Sequence, residues 1–72
     1  MRLFVEYTKS GYMDAFNNVS RVSIKKQEKK NKLFIYDYAD KYIDIIPLNE
    51  IKLAFMVDTS GKDCKEYFRY EK

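Results

Sequence analysis

The chain has 72 residues, a formal charge of +3, one cysteine and no histidine. A single cysteine excludes an internal disulfide, and without histidine or a second cysteine a structural zinc site is excluded as well. A domain this short stabilises itself by only about 3–5 kcal/mol from its core, so dense packing or a partner subunit must supply the rest.

Aromatic residues make up 17% of the chain, seven Tyr and five Phe, which suits the packing route. A homodimer or tight partner complex is expected about as readily as a monomer on size alone. Gly and Pro are scarce and hydrophobic content is 46%, the composition of one ordered domain spanning residues 1–72. Arg2 and Glu6 interrupt the N-terminal apolar run, which therefore lacks the h-region of a signal peptide, and no segment has the length of a membrane span. With the low cysteine usage, this places the expected site of action in the cytoplasm and away from membranes. Short length and a Lys-, Asn-, Ile- and Tyr-rich composition suggest an AT-rich, phage or mobile-element origin.

Alternation predicts the elements. In MRLFVEYT, Leu3, Val5 and Tyr7 fall on one face and Arg2, Glu6 and Thr8 on the other, with Phe4 the exception; this is a strand pattern. A turn follows at Gly11. YMDAFNNV reads equally as a helical turn, a loop or a strand, with a break expected at Asn17–Asn18. RVSIKK places Val22 and Ile24 on one face and is followed by the strand LFIYDY, the turn ADK, and the strand YIDII, which Pro47 ends or holds at an edge. IKLAFMVD aligns Ile51, Leu53, Phe55 and Val57 on one face. A turn is expected around Gly61. The tail CKEYFRYEK fits a strand or a helix, with strand favoured by its company. The expectation is an all-β domain of five to six short antiparallel strands, as a meander, roll or barrel with at most one helical turn.

Charge is concentrated in one place. From Arg21 to Lys32 six basic residues stand against Glu28 alone, a local charge of +5, so the rest of the chain carries −2. One reading is a basic finger that neutralises phosphates through Lys25, Lys26, Lys29, Lys30 and Lys32, with bases stacking on Phe34 or Tyr36. The plainer reading is a solvated hairpin tip whose lysines guard a sheet edge. The absence of arginine from KKQEKKNK and the value of those aromatics to a small core favour the hairpin tip.

Asp37, Asp40 and Asp44 lie within eight positions and can gather oxygens for a weak divalent site, but the EF-hand spacing is missing and turn service is the expected role. DTSGKD, residues 58–63, has the same reading. No metal or cofactor is expected. Tyr36, Tyr38 and Tyr42 stand beside these acids, with Tyr67 and Tyr70 in the tail. Seven tyrosines are too many to bury with satisfied hydroxyls, and surface Tyr among charges is interface composition.

Catalysis is not expected. Histidine, the commonest general base near neutral pH, is missing, the serines have no visible base partner, and Cys64 has no activating histidine. The function expected is non-enzymatic binding of a protein partner, as an adaptor, accessory subunit or inhibitor that occludes or bridges a surface. Tyr36, Tyr38, Asp40, Tyr42 and Asp44 would dock, and the lysine hairpin would steer encounter. The alternatives are single-stranded DNA or RNA binding through the lysine hairpin, and a homo-oligomeric structural protein with an aromatic interface.

Overall fold

The computed structural model describes residues 1–58, 60 and 64–69. These form seven strands and one 3-10 turn: β1 Arg2–Tyr7, β2 Met13–Phe16, β3 Arg21–Gln27, β4 Lys30–Tyr36, β5 Tyr42–Pro47, the turn Leu48–Glu50, β6 Ile51–Val57 and β7 Cys64–Arg69. The all-β expectation holds. The strand count exceeds five to six because the unassigned YMDAFNNV supplies β2 and the tail forms a strand.

The strands build two antiparallel sheets, ordered β2-β1-β6-β7 and β3-β4-β5, and neither closes into a barrel. No helix among the described residues is long and apolar enough to cross a membrane. Alternating strands bury one face each, and the two buried faces meet. Leu3 and Val5 of β1, Ala54 and Met56 of β6, Leu33 and Ile35 of β4, and Ile46 of β5 form the core with Val19 and Ile51. Phe16, Tyr67 and Phe68 close it from the edge strands.

Two linkers stitch the sheets. The amide of Val19 donates to Met1 at 2.9 Å while the next amide, Ser20, donates to Tyr36 at 2.8 Å, so the β2–β3 connection crosses from one sheet to the other. Thr8 donates to Glu50 at 3.0 Å where the 3-10 turn returns the chain to β6. Asn18 and Gly11 take φ of 57° and 66°, as the two expected breaks require. The turn expected at Gly61 lies outside the described residues, as does Tyr70.

One expectation on β6 is corrected. Ile51 is buried, but Leu53, Phe55 and Val57 are not its companions: Ala54 and Met56 are. The cause is a bulge in the β1–β6 ladder, where Glu6 pairs with Leu53 but Tyr7 pairs with Ile51, leaving Lys52 as the extra residue. One inserted residue reverses the phase, so Leu53, Phe55 and Val57 point outward. Phe4, the exception in β1, points the same way and stacks on Phe55 at 5.2 Å between centroids.

Candidate functional site

The sandwich leaves two outer faces, and the candidate sites lie there. On the three-stranded sheet the register places Arg21, Ser23, Lys25 and Gln27 of β3 beside Tyr36, Phe34, Lys32 and Lys30 of β4, with Ile45 and Tyr42 of β5 beyond. Phe34 and Tyr36 face away from the core yet are each only 4% exposed. Their cover is cationic and aromatic. The Arg21 guanidinium lies 3.7 Å from the Tyr36 ring centroid, and the Lys25 ammonium lies 5.2 Å from that ring and 5.4 Å from Phe34. Tyr42 packs on both rings, at 5.7 Å from Phe34 and 5.1 Å from Tyr36, and is itself 58% exposed. The Lys25 ammonium also donates to the Tyr36 hydroxyl at 2.6 Å, and this bond holds the phenol below its ordinary pKa by favouring the phenolate. Cation–π contact and aliphatic stem together seal the rings while leaving the charged heads toward solvent.

The lysine run is the tip of this sheet. Glu28 and Lys29 form a two-residue connection with φ of 53° and 66°, the pattern of a type I′ hairpin turn, which Asn-Gly fills at less cost. Lys25, Lys30 and Lys32 share the outer face with Phe34 and Tyr36, whereas Lys26 is on the opposite face and Lys29 is at the apex. Ile24, on the same face as Val22 as expected, is 46% exposed.

The acidic segment is divided by the same geometry. Asp37 accepts from the amides of Ala39 at 2.8 Å and Lys41 at 2.9 Å, and Asp40, at φ 59°, pairs with Arg21 at 3.4 Å. Both serve the β4–β5 turn. A bulge between Ile35 and Tyr36 sets Tyr42 against Tyr36 but Asp44 against the buried Ile35. Asp44 thus belongs to the side where Tyr7 sits, a phenol whose pKa burial raises, with Asp14, Asp44 and Glu50 adding to the effect. Tyr38 is 67% exposed and accepts from the Met1 ammonium at 3.0 Å. Of the five expected docking residues, Tyr42 packs on the sealed Tyr36, Asp40 is joined to that face through Arg21, Tyr38 is bonded to the N-terminus, and Asp44 is on the opposite side. Among the described residues no cluster of three His, Cys, Asp or Glu side chains is placed to hold a metal ion.

The outer face of the four-stranded sheet has different chemistry, and the sequence reading passed over it. Its central row is Ala15, Phe4, Phe55 and Glu66; the row on one side is Met13, Glu6, Leu53 and Arg69; the row on the other runs through Arg2, Val57 and Cys64. Six of these side chains are apolar and contiguous. Phe4, Leu53, Phe55 and Val57 are half-buried, Ala15 is exposed, and Met13 is 45% exposed. None packs against the core cluster. The charges around them are paired within the chain, Glu6 with Lys52 at 3.6 Å and Glu66 with Arg69 at 2.9 Å, the latter bond lowering the Glu66 pKa. A hollow of about 540 Å³ lined by Phe4, Val57, Arg2 and Asn17 continues this face at its end. The one available signal was Phe4 itself, an aromatic on the polar phase of β1.

No protein-family model, curated protein or solved structure matches the chain.

Proposed function

We propose that this chain is a non-catalytic binding domain that docks an acidic protein surface on the outer face of its three-stranded sheet. It acts in the cytoplasm as an adaptor, accessory subunit or inhibitor. The observation that carries the reading is the sealed cation–aromatic layer. Arg21 and Lys25 lie over Tyr36, so their charged heads are held in place over a rigid base and lose little side-chain freedom when a carboxylate arrives. Lys30 and Lys32 extend the row along the same face, and the exposed ring of Tyr42 offers an amphipathic anchor beside it. Lys29 at the apex and Lys26 on the opposite face add long-range attraction.

Single-stranded nucleic acid is the second reading, favoured by the same row of cations. Against it, a base needs an open ring face, and Phe34 and Tyr36 are covered on theirs.

The test is fluorescence anisotropy with a labelled Asp/Glu-rich peptide and with single-stranded DNA and RNA of similar charge, at low and physiological salt. The native chain and a Lys29→Glu/Lys30→Glu variant are compared. Peptide binding that exceeds nucleic-acid binding and is lost in the variant supports the proposal. Preferential DNA or RNA binding that falls steeply with salt transfers the site to the second reading. Absence of any binding at low salt rejects both.

A further inference from the structure

We infer that the apolar outer face of the four-stranded sheet is covered by a second copy of this chain, related by a two-fold axis that lies in the interface, perpendicular to β1 and β6, and runs along the Phe4–Phe55 row between the two copies. The argument rests on the pattern of that face. Phe4 sits midway along β1, with Arg2 two residues to one side and Glu6 two residues to the other; Phe55 sits midway along β6, with Leu53 and Val57 at the same offsets. Rotation about the stated axis exchanges the two flanking rows and keeps the central row in place, so that Glu66, at the β7 end of that row and paired with Arg69 within its own copy, faces its counterpart at the rim. Arg2 of one copy then meets Glu6 of the other, twice. Leu53 meets Val57, and the two Phe4–Phe55 stacks meet each other. A two-fold parallel to the strands instead sets Arg2 against Val57 and Glu6 against Leu53, burying each charge on an apolar side chain at a desolvation cost. The perpendicular axis therefore matches the Arg2 and Glu6 charges and the apolar side chains across the interface where the parallel one does not, which is the matching an isologous interface needs.

Size argues the same way. The buried cluster has nine members in a chain of 72 residues, while a contiguous row of four half-buried apolar side chains stays outside it. Sheets that pack face to face bury such rows at native density. Within the chain Glu6 pairs with Lys52 and Arg2 donates to Asn17 at 2.8 Å, so their meeting across the interface adds a second partner to each at the rim, and the mixed signs suit a copy with the same balance. The inference does not depend on the ligand of the three-stranded sheet. It does have a consequence for it: a dimer closed through the four-stranded sheets turns both cationic faces outward, which makes the particle bivalent and suited to bridging.

The test is solution mass by sedimentation equilibrium across a concentration series, with circular dichroism on every variant. The native chain is expected to be a dimer. Phe55→Ser is expected to sediment as a folded monomer, and Ala15→Lys, an exposed position where folding is not at stake, is expected to weaken association roughly tenfold or more. Arg2→Glu and Glu6→Arg should each weaken the dimer, and the two together should restore it. Because both Glu6→Arg proteins share any repulsion from Lys52, comparing them isolates the contact between copies. A native monomer at the highest concentration overturns the inference. So does a dimer that Ala15→Lys leaves intact. Failure of the double reversal to restore what the single reversals lose overturns the assigned axis.

Discussion

Phe34 and Phe4 both point out of the sandwich, one on each sheet, and their surroundings differ. Phe34 is sealed to 4% exposure beneath Lys25 and Tyr42, whereas Phe4 has only Phe55 stacked beside it and the small Ala15 on its other flank. The difference comes from neighbours and not from strand phase. Opposite Phe34 on β3 stands the small Ser23, but the diagonal position holds Lys25, which lies over the ring, and Tyr42 covers it from β5. On β2 the neighbour is alanine, and on β1 and β7 the long side chains Glu6 and Glu66 are drawn to Lys52 and Arg69. One outer face has become a second, cation-roofed layer of packing. The other remains apolar and open. Facing outward is therefore no measure of exposure in so small a sandwich, and the two faces should respond differently to the same substitution.

The largest contrast is expected from truncating the phenylalanines. Phe34→Ala should destabilise the domain by about 3 kcal/mol, within the range for a buried aromatic, as read from the urea midpoint. Phe4→Ala, measured at concentrations where the native chain is monomeric, should cost about 1 kcal/mol, since Phe4 is half-buried and loses chiefly its aromatic pair. Equal losses would erase the distinction between the faces.

A gain should come from the hairpin tip. Replacing Glu28 and Lys29 by Asn and Gly fills the type I′ turn with residues suited to positive φ and should raise stability by about 1 kcal/mol. The same change removes Glu28 and Lys29 together and leaves the net charge of the tip as it was, so acidic-peptide binding should hold, and weaker binding by a more stable protein would assign Lys29 a direct contact. Unchanged stability would mean that the turn is relaxed as it stands.

Tyr42→Ala should cost about 1 kcal/mol through its contacts with Phe34 and Tyr36, and Arg21→Ala about 0.5 kcal/mol, because Arg21 is half-exposed and its pair with Asp40 is solvated. Thermal or urea unfolding measures both.

The smallest effect is spectroscopic. Tyr36, with its hydroxyl on Lys25, should ionise below the ordinary phenol range, and Tyr7, buried near three carboxylates, above it. The signs for stability are opposite. The lowered Tyr36 favours the folded state at alkaline pH and loses that contribution as pH falls through its folded pKa; the raised Tyr7 favours the folded state at lower pH and loses its contribution as pH rises through the ordinary value. In a phenolate absorbance titration, Tyr36→Phe should remove an early phase and Tyr7→Phe a late one. A Lys25→Met variant that leaves the early phase in place would detach it from the Lys25 bond.

Much of the fold was legible in the chain. Leu3 and Val5 alternate as the core requires, Gly11 and Asn18 mark the breaks at which φ is positive, Pro47 ends the strand it was expected to end, and the lysine-rich run makes a hairpin, though its lysines extend β3 and β4 and the turn itself is Glu28 and Lys29. The segment Met13–Phe16 was unreadable because four residues of alternating polarity fit several states, and only pairing with β1 makes them a strand. Phase within β6 was misread for a physical reason: a bulge is a property of two strands in register, and Lys52 bears no local mark of being the extra residue. The division of Tyr36, Tyr42 and Asp44 between faces has the same origin, in the bulge opposite Ile35 and Tyr36. Phe4 did carry a signal, an aromatic on the polar phase, but a single exception says nothing about a patch until Phe55 is set beside it.

Composition and periodicity alone determined that this chain is an all-β domain without disulfide or zinc staples and with its positive charge gathered at one hairpin. Those properties are local or additive: they follow from residue types, their alternation and their sum. Tertiary structure decided which sheet each strand joined, which outward rings were roofed and which were left open, and how the acids were divided. Those outcomes depend on register between strands distant in sequence, where a shift of one residue reverses every side chain beyond it.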